Sequence, residues 1–243
     1  MKRYLIPVFI LSLGISLSLA GCSAIEPIND LSNVVEENAP NTAPDTAAWT
    51  ANAPTRLYDI EGLAGNIFEG ILSRNWNDAT ANLSQLITAW TDVKSVIENP
   101  TAILQSEEVL SLLISAVQAR NPDLSQTELN DFMYKISDIS KGYKLSPLSD
   151  IIAINNAGRD LRYAVENKNW VTAAAKAKEL QNTWGRAKSN LEQFGILGDI
   201  TETHSSIEQM KNSVEEENRT TFLERFQKFN EGMSHIRTAL AQN

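Results

Sequence analysis

The chain has 243 residues, 42% of them hydrophobic, with 21 basic against 30 acidic side chains and a formal charge of −9 at pH 7. An acidic balance argues against a nucleic-acid partner and against a polybasic grip on anionic lipid, since both need clustered Lys and Arg. With one cysteine, Cys22, no internal disulfide forms.

Lys2 and Arg3 precede an apolar run from Leu5 to Leu19, which is broken by Pro7, Gly14 and three serines. That run is shorter than the roughly 20 residues a spanning helix needs. The small pair Ala20-Gly21 then offers a cleavage point, so residues 1–21 read as a secretory signal. Leu19-Ala20-Gly21-Cys22 resembles the lipobox of bacterial lipoproteins. The resemblance implies diacylglycerol on the Cys22 thiol, cleavage before it and acylation, often by palmitate, of the new amine. Two or more acyl chains hold a protein stably at a membrane. The implied location is the extracytoplasmic face of the cell membrane, or the outer membrane where a cell has two. Cys22 then carries lipid and serves no redox or nucleophilic role.

Residues 22–55 are rich in Asn, Ala, Asp, Thr and Pro, with prolines at 27, 40, 44 and 54. So few large apolar side chains cannot offset the entropy of ordering, and the segment reads as a flexible tether. A coil of that length spans about 30 Å root-mean-square. Trp49 is its one large aromatic, suited to docking on the domain that follows.

From Leu57 onward apolar residues recur at three and four, the helical period, and no strand-like alternation is sustained. An internal repeat runs at an offset of 94 residues: Asn75-Trp76 returns as Asn169-Trp170, Ala79 as Ala173, Leu86 as Leu180 and Trp90 as Trp184. Upstream, Leu57, Ile60, Ala64, Ile67 and Ile71 return as Ile151, Ile154, Gly158, Leu161 and Val165. The tryptophans begin two offset apolar rows along a helix, the seam that bundle packing requires. Asn75 and Asn169 suit N-caps, each marking a tight turn between antiparallel helices.

Further boundaries are predicted from Ser125 to Glu128 and from Thr221 to Glu224, both with capping-box spacing. Ser146-Pro147 reads as a helix start, Gly142 and Gly195 as stops, and Asn99-Pro100 as the end of the first tryptophan helix. The result is an all-α fold with helices near 57–73, 76–98, 106–120, 125–141, 147–167, 170–194, 201–216 and 220–241. These form tandem duplicated antiparallel four-helix bundles, over 56–145 and 146–243, with a shared core as the alternative. The Asn-Trp-x-x-Ala … Leu-x-x-x-Trp stretches resemble a family of small bacterial membrane-anchored proteins that carry a paired-tryptophan helical hairpin. That resemblance implies a helical fold and membrane association, and no activity.

Removing Lys2 and Arg3 leaves 19 basic against 30 acidic residues, an acidic surface best read as solvated. Glu215-Glu216-Glu217 reads as a solvated turn. The sequence carries no zincin motif, phosphate loop, dinucleotide fingerprint or nucleophile elbow, so neither catalysis nor a cofactor is expected. His204 and His235 fall on successive antiparallel helices, with Glu208 one turn from His204, and are weak candidates for a metal or haem site. Trp76 and Trp90, like Trp170 and Trp184, stand about 21 Å apart along a helix. That spacing suits packing layers better than one sugar-stacking pocket, with each indole N–H reaching a carbonyl or water. Two functions remain. The first is a non-catalytic binding or structural role in the cell envelope, with another envelope protein as partner. The alternative is a solute-, metal- or haem-binding lipoprotein serving a transporter.

Overall fold

A computed structural model describes residues 53–242; the expected signal peptide, Cys22, the tether and Trp49 lie outside them. The described residues form eight helices: α1 (Thr55–Leu72), α2 (Trp76–Lys94), α3 (Pro100–Gln118), α4 (Pro122–Ser140), α5 (Leu148–Glu166), α6 (Trp170–Glu192), α7 (Leu197–Glu215) and α8 (Arg219–Leu240). They pair as hairpins, α1 with α2, α3 with α4, α5 with α6 and α7 with α8. Contacts of α1 with α4, and of α5 with α8, close one four-helix bundle in each copy. The α4–α5 and α1–α5 contacts join the copies, and one apolar cluster extends through both.

All four hairpins turn in the same way. Each has one residue in the left-handed region followed by an asparagine N-cap: Arg74-Asn75, Arg120-Asn121, Lys168-Asn169 and Glu217-Asn218, with φ of 56°, 52°, 55° and 52°. Each asparagine Oδ1 accepts from the backbone N–H three residues on, at 3.4 Å for Asn75 and 3.1 Å for the other three. In the last three turns the asparagine N–H reaches back to the carbonyl of Ala116, Ala164 or Ser213, closing the preceding helix in a Schellman-type motif.

The core seam also occurs four times. At four, eight, eleven, fifteen and eighteen residues past each asparagine the side chain is buried. These are Ala79, Leu83, Leu86, Trp90 and Val93 in α2, and Ser125, Leu129, Phe132, Ile136 and Ile139 in α4. In α6 they are Ala173, Ala177, Leu180, Trp184 and Ala187, and in α8 Phe222, Phe226, Phe229, Met233 and Ile236. The duplication read at 94 residues is therefore a pair of pairs, and its unit is a single helical hairpin. Large side chains meet across the first bundle, where Trp90 packs edge-on against Phe132 at 5.9 Å.

Several boundaries differ from expectation. Asn99-Pro100 opens α3 instead of closing α2, because Asn99 Oδ1 accepts from the Ala102 N–H at 3.0 Å. The first tryptophan helix ends earlier, at Lys94. Neither capping-box spacing marks a helix start. Asn121 with Pro122 begins α4 before Ser125, which is buried inside the helix, and Asn218 takes the cap that Thr221 was expected to hold. An asparagine beside a rigid first-turn proline outcompetes a later serine. Pro147 is itself the N-cap of α5, and α7 starts at Leu197.

Candidate functional site

Polar residues interrupt the apolar stripes where the two copies meet. Glu61 of α1 and Arg159 of α5 form an ion pair of 3.2 Å, with side chains only 1% and 5% exposed. The same Glu61 Oε1 accepts from Asn155 Nδ2 at 2.8 Å. Arg159 also donates to Asn130 Oδ1 on α4 at 3.2 Å and to Asn156 Oδ1. From Asn130 the network continues to Asp160, then through Lys176 to Glu179, with bonds of 2.6, 2.9 and 2.9 Å. Four helices, α1, α4, α5 and α6, are thereby tied by one chain of polar bonds, with the neutral amide of Asn130 linking its charged parts. Burial works against the ammonium of Lys176, but Asp160 and Glu179 outweigh it and raise its pKa.

Glu61 is less settled. Its Oε2 is buried and has no hydrogen-bond partner among the described residues. Burial raises its pKa above 4.5, an effect that attraction to Arg159 and Arg237 only partly offsets. Glu61 lines a cavity of about 170 Å³ between α1, α5 and α8. An outer groove of about 780 Å³, between α1, α2 and the end of α8, shares Gly62, Asn66 and Arg237 with that cavity. On its rim Arg56 pairs with Asp59 at 3.1 Å and with Asp92 at 3.4 Å, bridging α1 to α2. On the same turn of α1 as Arg56 and Asp59, the Tyr58 hydroxyl and Ser146 Oγ lie 2.6 Å apart, fixing α1 to the α4–α5 turn.

The residues singled out from the sequence lie elsewhere. Trp90 and Trp184 are buried in the seams, at 2% and 1% exposure, while Trp76 and Trp170 are half-buried at the helix starts, packed against the core. Neither Trp90 Nε1 nor Trp184 Nε1 finds an acceptor among the described residues, so the carbonyl, one of the two partners expected for them, is not used. Asn75 and Asn169 are spent on capping. His204 is exposed, and Glu208, one turn on, accepts from Gln181 at 2.6 Å. His235 is exposed and its Nδ1 lies 3.4 Å from Asp199. Among the described residues no group of three His, Cys, Asp or Glu side chains is placed to hold a metal ion.

Glu61, Asn155 and Arg159 carried a signal that the repeat reading passed over. Each stands beside matched apolar positions, Ile60 and Ile154 among them, on helix faces that are otherwise buried. A polar residue inside such a stripe needs a partner, and a pair of them in matched segments points to a junction. Among the described residues no helix is long and apolar enough to cross a membrane. No family model, curated protein or solved structure matches the chain.

Proposed function

We propose that this chain is a lipid-anchored protein of the extracytoplasmic face of the membrane, with a non-catalytic binding role in the cell envelope. The anchor rests on the Leu19-Ala20-Gly21-Cys22 run behind its basic and apolar leader. The binding role rests on one observation, the α1–α8 groove that leads to the buried Glu61–Arg159 pair. Of the ionisable groups beside it, Arg56 is paired with two aspartates and Arg159 with Glu61, while Arg237 donates to Ser234, an arrangement suited to recognition more than to proton transfer. The groove favours the solute-binding alternative over a purely structural role. Metal and haem draw no support from the separate settings of His204 and His235.

The anchor is tested by Cys22→Ser followed by membrane fractionation and palmitate labelling. The variant is expected to lose the label and to leave the membrane fraction. Equal membrane retention with processing at the same bond would overturn the lipoprotein reading. A partner protein is sought by crosslinking in intact envelopes, where a reproducible product on the groove side of α1 would favour a protein ligand over a solute.

A further inference from the structure

The junction between the copies makes one helix contact twice, and the 94-residue offset shows what each side holds. Glu61 matches Asn155, and the two are hydrogen-bonded to each other, so the local two-fold relation runs between them. At the same offset Gly62 matches Asn156, and Gly65 matches Arg159. On the α5 side, the Arg159 side chain fills the space against α4 and delivers a guanidinium to Glu61 Oε1. On the α1 side, a Cβ placed on Gly65 meets nothing within 4 Å among the described residues. The cavity of about 170 Å³ lies there, walled by Phe68, Phe226 and Met233.

Of the four charged side chains that line this cavity, Glu61, Glu69, Arg159 and Arg237, two carry the argument. Glu61 Oε2 is buried and takes no donor from the described residues, a costly state for a carboxylate oxygen. The other is Arg237, whose guanidinium lies across Gly62, where a Cβ would stand 3.1 Å from Cζ. Arg237 donates to Ser234 Oγ at 3.3 Å, and Glu61 is not its partner. The first oxygen of Glu61 already holds a cation, and the second, buried and without a donor among the described residues, belongs to a side chain lining the cavity that Arg237 also lines. At roughly 30 Å³ per water-sized group, the cavity takes about six non-hydrogen atoms.

We propose that the α1–α8 cavity binds a small zwitterion of the size of a short-chain amino acid, with its ammonium on Glu61 Oε2 and its carboxylate on Arg237. The proposal rests on the binding role above and is independent of the anchor. A ligand neutral overall matches a cavity lined by two carboxylates, Glu61 and Glu69, and two guanidinium groups, Arg159 and Arg237. Phe68, Phe226 and Met233 then face the small side chain, and the outer groove gives the ligand its way in.

The test is isothermal titration calorimetry of the full chain in detergent micelles, with glycine, L-alanine, ethylamine and acetate as probes. Glycine or L-alanine is expected to bind saturably. Ethylamine and acetate, each missing one charged contact, are expected to bind at least about tenfold more weakly. Glu61→Gln should weaken binding by at least about tenfold, through the lost ammonium contact. Because that change also touches the Arg159 pair, Gly65→Leu provides the second variant. It fills the cavity from a position with room for a side chain, so it should abolish binding while Tm holds or rises. The proposal is overturned if no probe gives heat, if ethylamine or acetate matches glycine, or if Gly65→Leu binds as the parent does. A chain that stays with membranes yet gives no heat sinks this site alone, whereas one that binds glycine but ignores Cys22→Ser sinks the anchor alone.

Discussion

Where α4 meets α5, Arg159, Asn130 and Asn156 fill the space and extend their bonds to Asp160 and Lys176; where α8 meets α1, glycines 62 and 65 leave an opening with Arg237 at its edge. The outer seams of the two copies do not differ in this way. Trp90 and Trp184 occupy the same register, are both buried and leave the same indole N–H without an acceptor among the described residues. A duplicated helical fold thus keeps its packing layers constant and varies the contact between copies. The seams fix the frame because close packing tolerates little change in volume. The junction differs because Arg159, Asn130 and Asp160 close one side with their bonds, while the other leaves Glu61 Oε2 without a donor among the described residues.

The seam half of that comparison is exposed to the largest effect. Trp90→Ala and Trp184→Ala each remove a fully buried ring and should cost about 3–5 kcal/mol, by the same amount within about 1 kcal/mol. Urea unfolding of both variants measures it, and a larger gap between them would break the equivalence of the two seams. Trp76→Ala and Trp170→Ala should cost clearly less, since both rings keep a solvent-facing edge.

The junction half gives an unequal pair. Arg159→Met leaves Glu61 buried beside an apolar side chain and should cost about 3 kcal/mol, limited by uptake of a proton on Glu61. Arg237→Met alters a half-buried group whose bond among the described residues is to Ser234, and should cost under about 1 kcal/mol. Equal losses would mean that Arg237, not Arg159 alone, holds Glu61 in place.

A smaller effect separates the two through pH. Burial raises the Glu61 pKa, so the native state takes up a proton more readily than the unfolded chain does. Its contribution is therefore greatest at acid pH and declines as pH rises from about 4.5 through the raised native value, then stays level. Glu69 is raised by burial too and adds a slope of the same sign. The difference between parent and Glu61→Gln isolates the first group. Urea midpoints taken from pH 4 to 8 should show a shallower decline in the variant, and parallel curves would remove Glu61 as the titrating residue.

The helical class and the seam were legible because they rest on period and on tryptophan, the largest side chain and one that marks both copies. Ile60, Ala64 and Ile67 recur at fixed offset in the second copy, and Asn75-Trp76 announces its own turn. Two of the four turns escaped for a local reason: Asn121 precedes a proline and Asn218 an arginine, so neither shows the aromatic that flagged the others. Ser125-Gln126-Thr127-Glu128 then imitated a helix start although Ser125 sits at a core position. The junction escaped for a different reason. Glu61 and Arg159 are far apart in the chain, and only the fold shows that matched positions of the two copies touch. Charged residues on a helix are read as solvated by default, and the apolar neighbours on both flanks were the one sign against it.

The four turns allow a last and finer test of equivalence. Lys168 holds φ at 55° without being glycine, and its N–H and that of Asn169 close α5 on Val165 and Ala164. An L-residue with a side chain loses about 1–2 kcal/mol in this conformation. Glycine removes that strain but gives back about 0.5–1 kcal/mol in unfolded-chain entropy. Lys168→Gly should therefore stabilise by about 0.5 kcal/mol, read as a small rise in Tm with no change in denaturant slope. Arg120→Gly and Glu217→Gly should do the same, and the three should add, since the turns are separate motifs with no shared partner. Arg74→Gly should gain no more than these, because its turn closes on a weaker cap, the 3.4 Å bond from Asp78 to Asn75. If one of the first three instead destabilised, its long side chain would be making a contact that outweighs the strain, and the turns would be alike in backbone only.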